Sequence, residues 1–167
     1  MLRRALVVAL AGLALTACKK GPDPALIEAN GAQAAAWLAA KAREPGVRAL
    51  PSGVLYQVVR SGPADGGSPG RADEIKVHYE GKLVSGDVFD SSYDRGAPMV
   101  RRLGELIPAW VEALQKMKPG DVWMLYVPPE QGYGEQGAGP IPPNSVLIFK
   151  VELIGFLPAA GTSALGR

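Results

Sequence analysis

Val77-His78-Tyr79-Glu80-Gly81 and, past a Ser85-Gly86-Asp87 turn, Phe89-Asp90-Ser91-Ser92-Tyr93-Asp94-Arg95 decide how this chain is read. Ile75, Val77 and Tyr79 alternate with Lys76, His78 and Glu80, the period of two that marks a strand with one buried face. That parity turns Tyr79 inward and His78 toward solvent. The stretch sets aromatics and one carboxylate, Asp90, in apolar company with no nucleophile-and-base set beside them. Such a site can bind and desolvate a substrate, but it is poorly equipped to break a covalent bond.

The flanking segments supply the rest of a fold. Val54 to Arg60 reads as a strand, as does Val122 to Val127, and Leu147, Phe149, Val151 and Leu153 alternate with Ile148, Lys150 and Glu152 in a closing strand. Pro108 suits the first turn of a helix. Trp110, Leu114 and Met117 then share a face at i, i+4, i+7, Lys116 and Lys118 suit its C-terminal end, and Pro119-Gly120 stops it. Residues 128–143 form a long loop rich in Gly and Pro, of the kind that carries function. Upstream, an Ala-rich run predicts a short helix from about Ala32 to Arg43, because Asn30-Gly31 interrupts helical sequence before it. The expectation is an α+β fold: a twisted antiparallel sheet of about five strands wrapped on one short α-helix, with a second short helix at the N-terminus.

Composition narrows the partners. The chain has 167 residues, 47% hydrophobic and 20% charged, with net charge +2 and no basic block, which argues for a globular core and against nucleic acid. Arg3-Arg4 followed by the apolar run Ala5 to Ala17 reads as an export signal; the run, at about 13 residues, is too short for the ~20 of a membrane-spanning helix. Leu15-Thr16-Ala17-Cys18 resembles the lipobox of bacterial lipoproteins, in which the leader is cut before the cysteine and the thiol is lipidated. Cys18 is the single cysteine, and an unmodified thiol in an oxidising compartment would be a liability. Acylation there would anchor the protein to the cell envelope, and Lys19 after the cysteine fits the outer membrane, facing the periplasm. Loss of Arg3 and Arg4 leaves 16 of the 18 basic residues against 16 acidic ones. The expected segments are a signal over 1–17, a lipidated tether and short helix over 18–44, a folded domain over 45–157 and a tail over 158–167.

Several familiar chemistries fail on their own terms. Gly132-Tyr133-Gly134-Glu135-Gln136-Gly137 matches a dinucleotide-binding pattern, but that motif must open a helix, and Pro140, Pro142 and Pro143 forbid one. His78 is the single histidine, so neither a zinc set nor a serine triad is readily assembled, and no Gly-x-Ser-x-Gly elbow occurs. Asp87, Asp90 and Asp94 lack the rhythm of a calcium loop. No cofactor and no metal are expected.

Six motifs in order carry a resemblance: Val77-His78-Tyr79-x-Gly81, Phe89-Asp90-Ser91-Ser92, Leu106-Ile107-Pro108-Ala109-Trp110, Gly132-Tyr133-Gly134, Ile141-Pro142-Pro143-Asn144 and Leu147-Ile148-Phe149-x-Val151-Glu152-Leu153. From about Leu50 to Leu157 the chain resembles the FKBP-type peptidyl-prolyl cis-trans isomerases. Gly46-Val47-x-x-Leu50-Pro51-Ser52-Gly53-Val54-Leu55-Tyr56 looks like their exported Mip-type branch. The resemblance implies a pocket floored by Trp110 and walled by Tyr79, Phe89, Ile107, Tyr133 and Phe149, with Ile141 on its rim. It makes Asp90 the polar residue, oriented by Arg95, with Arg95, Met99 and Leu106 among the substrate contacts and Leu106 offering its backbone. Met99 stands where relatives often carry an aromatic, the connection from Gly104 to Ile107 is shorter, Pro108-Ala109 precede the tryptophan where a glycine is frequent, and Ala138 occupies a loop position often held by His. Proline-containing polypeptides are the implied substrates, and macrolides such as rapamycin the implied inhibitors. The segment before Pro45 is short beside the dimerising helices of Mip relatives, which points to a monomer, with a dimer as the alternative.

The implied reaction suits the residues. Rotation of an X–Pro bond faces a barrier of ~18–20 kcal/mol from amide resonance and breaks no bond. Planar resonance separates charge more than the twisted transition state does, so a dry aromatic box penalises the ground state. On this view Tyr79, Phe89, Trp110 and Phe149 enclose the prolyl ring, and Asp90 and Tyr133 meet substrate amides. The competing readings are a holdase that grips proline segments without turnover and an envelope scaffold lipoprotein.

Overall fold

The computed structural model describes residues 21–160. The expected leader, Cys18 and the end of the expected C-terminal tail lie outside the described residues. Helix α1 spans Pro24–Lys41. It is followed by β1 (Val47–Ala49), β2 (Leu55–Arg60), β3 (Glu74–Leu83), β4 (Val88–Ser91) and β5 (Met99–Arg102). After a short turn come α2 (Pro108–Leu114), β6 (Val122–Val127) and β7 (Leu147–Leu157). All pairings are antiparallel, in the order β1-β2-β6-β7-β3-β4, with β5 also on β3. The expected sheet on one short helix is present, with seven strands where about five were expected. The surplus comes from short edges such as the three-residue β1 and four-residue β5, too brief to show a period.

One face of the sheet holds the main core. Ile75, Val77, Leu125, Val127, Leu147, Val151 and Leu153 are buried there against Ala109, Trp110, Ala113 and Leu114 of α2. The alternation read in β3 and β7 is the alternation found, with Tyr79 and Phe149 on this inner face. Helix α2 ends at Leu114, earlier than the i, i+7 pattern predicts, because Lys116 and Met117 donate to the carbonyls three residues back and tighten the last turn. Met117 is buried all the same. Along β6 and β7 the alternate residues Tyr126 and Ile148 face the other way, where Trp37 and Leu38 of α1 pack on them. The rings of Trp37 and Tyr126 lie 5.8 Å apart.

Helix α1 departs most from the sequence expectation. It starts at Pro24, runs through Asn30-Gly31 and stops at Lys41, rather than spanning Ala32 to Arg43. Its start is well specified: Asp23 caps it by accepting from the Ala25 N–H (3.0 Å) and Pro24 takes the first helical position. The helix cost of Asn and Gly is below about 2 kcal/mol in sum, small enough for tertiary contacts to outweigh.

Candidate active site

The inner face of the sheet leaves an opening beside the start of α2. Tyr79 from β3, Trp110 from α2 and Phe149 from β7 are all nearly buried. Tyr79 meets Trp110 edge to face at 5.2 Å, Trp110 meets Phe149 at 5.3 Å, and Phe149 meets Phe89 of β4 at 5.6 Å. Each contact has the T-shaped geometry that aromatic quadrupoles favour, so the four rings form a self-bracing wall. They bound a cavity of about 600 Å³, together with Asp90, Met99, Glu105, Leu106, Ile107, Tyr133 and the 138–141 turn.

A glycine makes this wall. Gly81 lies on the inward parity of β3, opposite Asp90 on β4 and Phe149 on β7. A Cβ there would sit 2.6 Å from Phe89 Cε2 and 2.7 Å from Phe149 Cε1. Its missing side chain is the space the two phenylalanines occupy, the positional meaning of glycine inside a strand.

Three polar side chains meet at one side of this wall. The Tyr79 hydroxyl donates to Asp90 Oδ2, while Arg95 donates through Nη1 to Asp90 Oδ1 and through Nη2 to the Tyr79 oxygen (3.0 Å). The guanidinium also lies 5.5 Å from the centre of the Tyr79 ring. Both side chains of the Arg95–Asp90 pair are more than 40% exposed, so its stabilisation is at most about 1 kcal/mol; its effect is geometric, fixing where the carboxylate points. Burial, reinforced by Asp90, raises the Tyr79 hydroxyl above its usual pKa, with Arg95 opposing. Because the folded pKa lies above the unfolded one, this contribution to stability is intact below pH ~10 and fades as pH rises through the raised value. We therefore expect stability measured by chemical denaturation to hold between pH 7 and 9 and to fall above pH 10, and a Tyr79→Phe variant to lose the part of that fall due to this hydroxyl.

Ten of the eleven residues expected at the pocket line this cavity. Arg95 does not; it acts from outside, through Asp90 and Tyr79. Cys18 lies outside the described residues. The sequence reading missed Glu105, Gly139 and Pro140 as lining residues. Glu105 ends a three-residue 3-10 turn, Leu103–Glu105, and no periodicity announces it. Gly139-Pro140 sits in the loop already marked by composition. His78 is half-buried rather than solvent-facing: its ring stacks on Tyr93 at 4.8 Å and Nδ1 lies 2.9 Å from Ser92 Oγ. This serine–histidine contact is structural. Ser92 is fully buried, and its Oγ accepts from the Tyr79 N–H (2.7 Å) and donates to the Tyr79 carbonyl (3.1 Å), tying the residue just after β4 to β3.

An aromatic wall, a carboxylate held by an arginine, and the motifs in their observed places meet an independent match. The sequence profile described as FKBP-type peptidyl-prolyl cis-trans isomerase covers residues 66–154. The chain belongs to the FKBP-type peptidyl-prolyl cis-trans isomerase family. It is 51% identical over 126 residues to "Peptidyl-prolyl cis-trans isomerase Mip" of Coxiella burnetii, covering 75% of this chain and 54% of that one. It is 42% identical over 134 residues to "Outer membrane protein MIP" of Legionella longbeachae, covering 80% and 57%. The crystal structure of FkpA from Escherichia coli superposes with a TM-score of 0.75 at 41% identity, over 80% of this chain and 62% of that one. The FKBP domain is thus shared, whereas the chain spans little more than half the length of these curated relatives.

Proposed function

We propose that this FKBP-family chain accelerates cis-trans isomerisation of X–Pro bonds in polypeptides. The observation that carries the reading is the cavity itself. Its floor and walls are Trp110, Tyr79, Phe89 and Phe149, its volume of about 600 Å³ takes a prolyl residue with its neighbours, and no Ser, Cys, His or Lys lines it. A prolyl ring over Trp110 would lose water on all sides. Desolvation raises the charge-separated planar amide relative to the twisted one. Asp90, fixed by Arg95 and Tyr79, and the Tyr133 hydroxyl stand at the rim as the groups that meet the flanking amides. Met99 and Ile107 shape the walls, Ile141 the rim, and Leu106 offers its backbone.

The purified protein is expected to speed isomerisation of an X–Pro tetrapeptide above the uncatalysed rate, and a prolyl-mimetic macrolide such as rapamycin to suppress that rate competitively. Turnover no faster than the uncatalysed reaction would sink the proposal and leave the holdase reading in its place.

The first eighteen residues, and a relative named as an outer membrane protein, support a reading of where the protein acts. We propose an export signal over 1–17, lipidation of Cys18, a short tether into α1, and an isomerase domain over 45–157 working at the cell envelope on exported proteins. Cys18→Ser is expected to move most of the protein from the membrane to the soluble fraction on cell fractionation; unchanged sedimentation with membranes would remove the anchor.

A further inference from the structure

Asn30-Gly31, which reads as a helix interruption, lies inside α1 and faces the active-site loop. The Asn30 side chain donates from Nδ2 to the Pro143 carbonyl (2.7 Å), and Asn144 returns the contact, donating from its own Nδ2 to the Ile27 carbonyl (3.0 Å). Gly31 lies beside the second bond: a Cβ on it would sit 3.4 Å from the Asn144 Nδ2, near ordinary contact distance. Asn144 also has φ +51, the left-handed region that asparagine tolerates better than most residues. Its backbone N–H donates to the Gly134 carbonyl (2.8 Å), so one residue ties α1 to both limbs of the loop.

This contact is held by polar bonds more than by packing. An open cavity of about 290 Å³ and a second of about 160 Å³ both touch Ala34 of α1 and Asn144. Next to the tied residues stands the pocket rim. Ala138 and Ile141 close a tight turn by reciprocal backbone bonds of 3.0 and 2.9 Å, and the whole of 138–141 lines the prolyl cavity. The loop therefore has the pocket on one side and α1 on the other.

We propose that Asn30 and Asn144 are positioning residues: a two-way amide clamp by which α1 splints the 138–141 rim of the pocket. The inference rests on the isomerase reading and adds to it that a helix on the opposite face of the sheet sets the rim's preorganisation. Neither asparagine touches substrate. They act by keeping Ile141 and its turn in the position that the bound chain needs.

Asn30→Ala removes a donor while improving helix propensity, and Asn144→Gly removes the other while keeping left-handed backbone accessible. Each is expected to lower kcat/KM on an X–Pro tetrapeptide by about three- to tenfold, mainly through KM, as loss of one ordering hydrogen bond implies. Hydrogen exchange at 138–141 should quicken in both variants, while the melting temperature of Asn30→Ala changes little. In the double variant the loss should fall short of the product of the singles, since both bonds close one contact. Faster exchange with unchanged kcat/KM would overturn the positioning role, and so would unchanged exchange in both variants. A wild-type protein without turnover removes the isomerase reading instead, and the clamp then stands or falls on the exchange rates.

Discussion

Gly81→Ala is expected to lower kcat/KM for an X–Pro peptide by about a hundredfold, the effect of displacing reacting groups by roughly 1 Å. A methyl group at this position would lie under 3 Å from ring atoms of both Phe89 and Phe149, whereas carbon atoms rest about 3.5–4.0 Å apart. The rings must therefore retreat by about 1 Å. Phe149 has little freedom to do so, being buried edge-on to Trp110 at 5.3 Å. Phe89 is the softer partner, and its movement opens the wall to water at the position where the prolyl ring would sit. Overpacking of this kind also costs about 1–3 kcal/mol of stability, visible as a lower denaturation midpoint. Gly86→Ala is the control, on the turn of the same hairpin. Gly86 has φ +97 and nothing near its absent Cβ, so that variant strains the backbone by about 1–2 kcal/mol and leaves the pocket alone. Comparable stability losses with turnover lost in Gly81→Ala and kept in Gly86→Ala would separate wall geometry from general destabilisation. Full kcat/KM in Gly81→Ala would show that the ring arrangement is not what the reaction uses.

Strand parity placed part of this site on the inner face, and the resemblance of the six motifs to FKBP-type isomerases made it a pocket rather than plain core. Once Tyr79 is placed inward by its alternation with His78 and Glu80, Gly81 must be inward too, and the same rule on β7 places Phe149 beside it. Trp110 followed from Pro108 and the helical spacing behind it. What a local pattern does not carry was lost. Asn30-Gly31 reads as a break because helix propensity is a local quantity, while the Pro143 carbonyl that rewards Asn30 is 113 residues away. Glu105 belongs to a 3-10 turn of three residues, and strands of three or four residues such as β1 and β5 show no period to count. Half-burial of His78 depended on Tyr93 folding back over it, a contact between neighbouring segments that alternation alone does not foresee.

Tyr133→Ala is expected to cost about thirty- to a hundredfold in kcat/KM while moving stability by no more than about 1 kcal/mol, in the range of substitutions outside the core. Tyr133 lines the cavity yet is 40% exposed, and no hydrogen bond is made by its hydroxyl among the described residues. A large aromatic held half in solvent contributes little to folding. Its surroundings nonetheless fix it. Gly134 has φ +57, and a Cβ on Gly132 would come within 3.0 Å of the Leu147 side chain, so these two of the three glycines in the nucleotide-binding look-alike bend the chain and present the ring between them. Tyr133→Phe separates the two parts of the effect. Loss of one hydrogen bond to a substrate amide corresponds to about three- to tenfold, and the remainder in the alanine variant belongs to the apolar face of the ring. Should Tyr133→Phe match the wild type, the hydroxyl makes no contact that matters to turnover. Should Tyr133→Ala lose turnover only in proportion to lost folded protein, the residue belongs to the scaffold, and the carboxylates Asp90 and Glu105 are left as the polar groups lining this cavity.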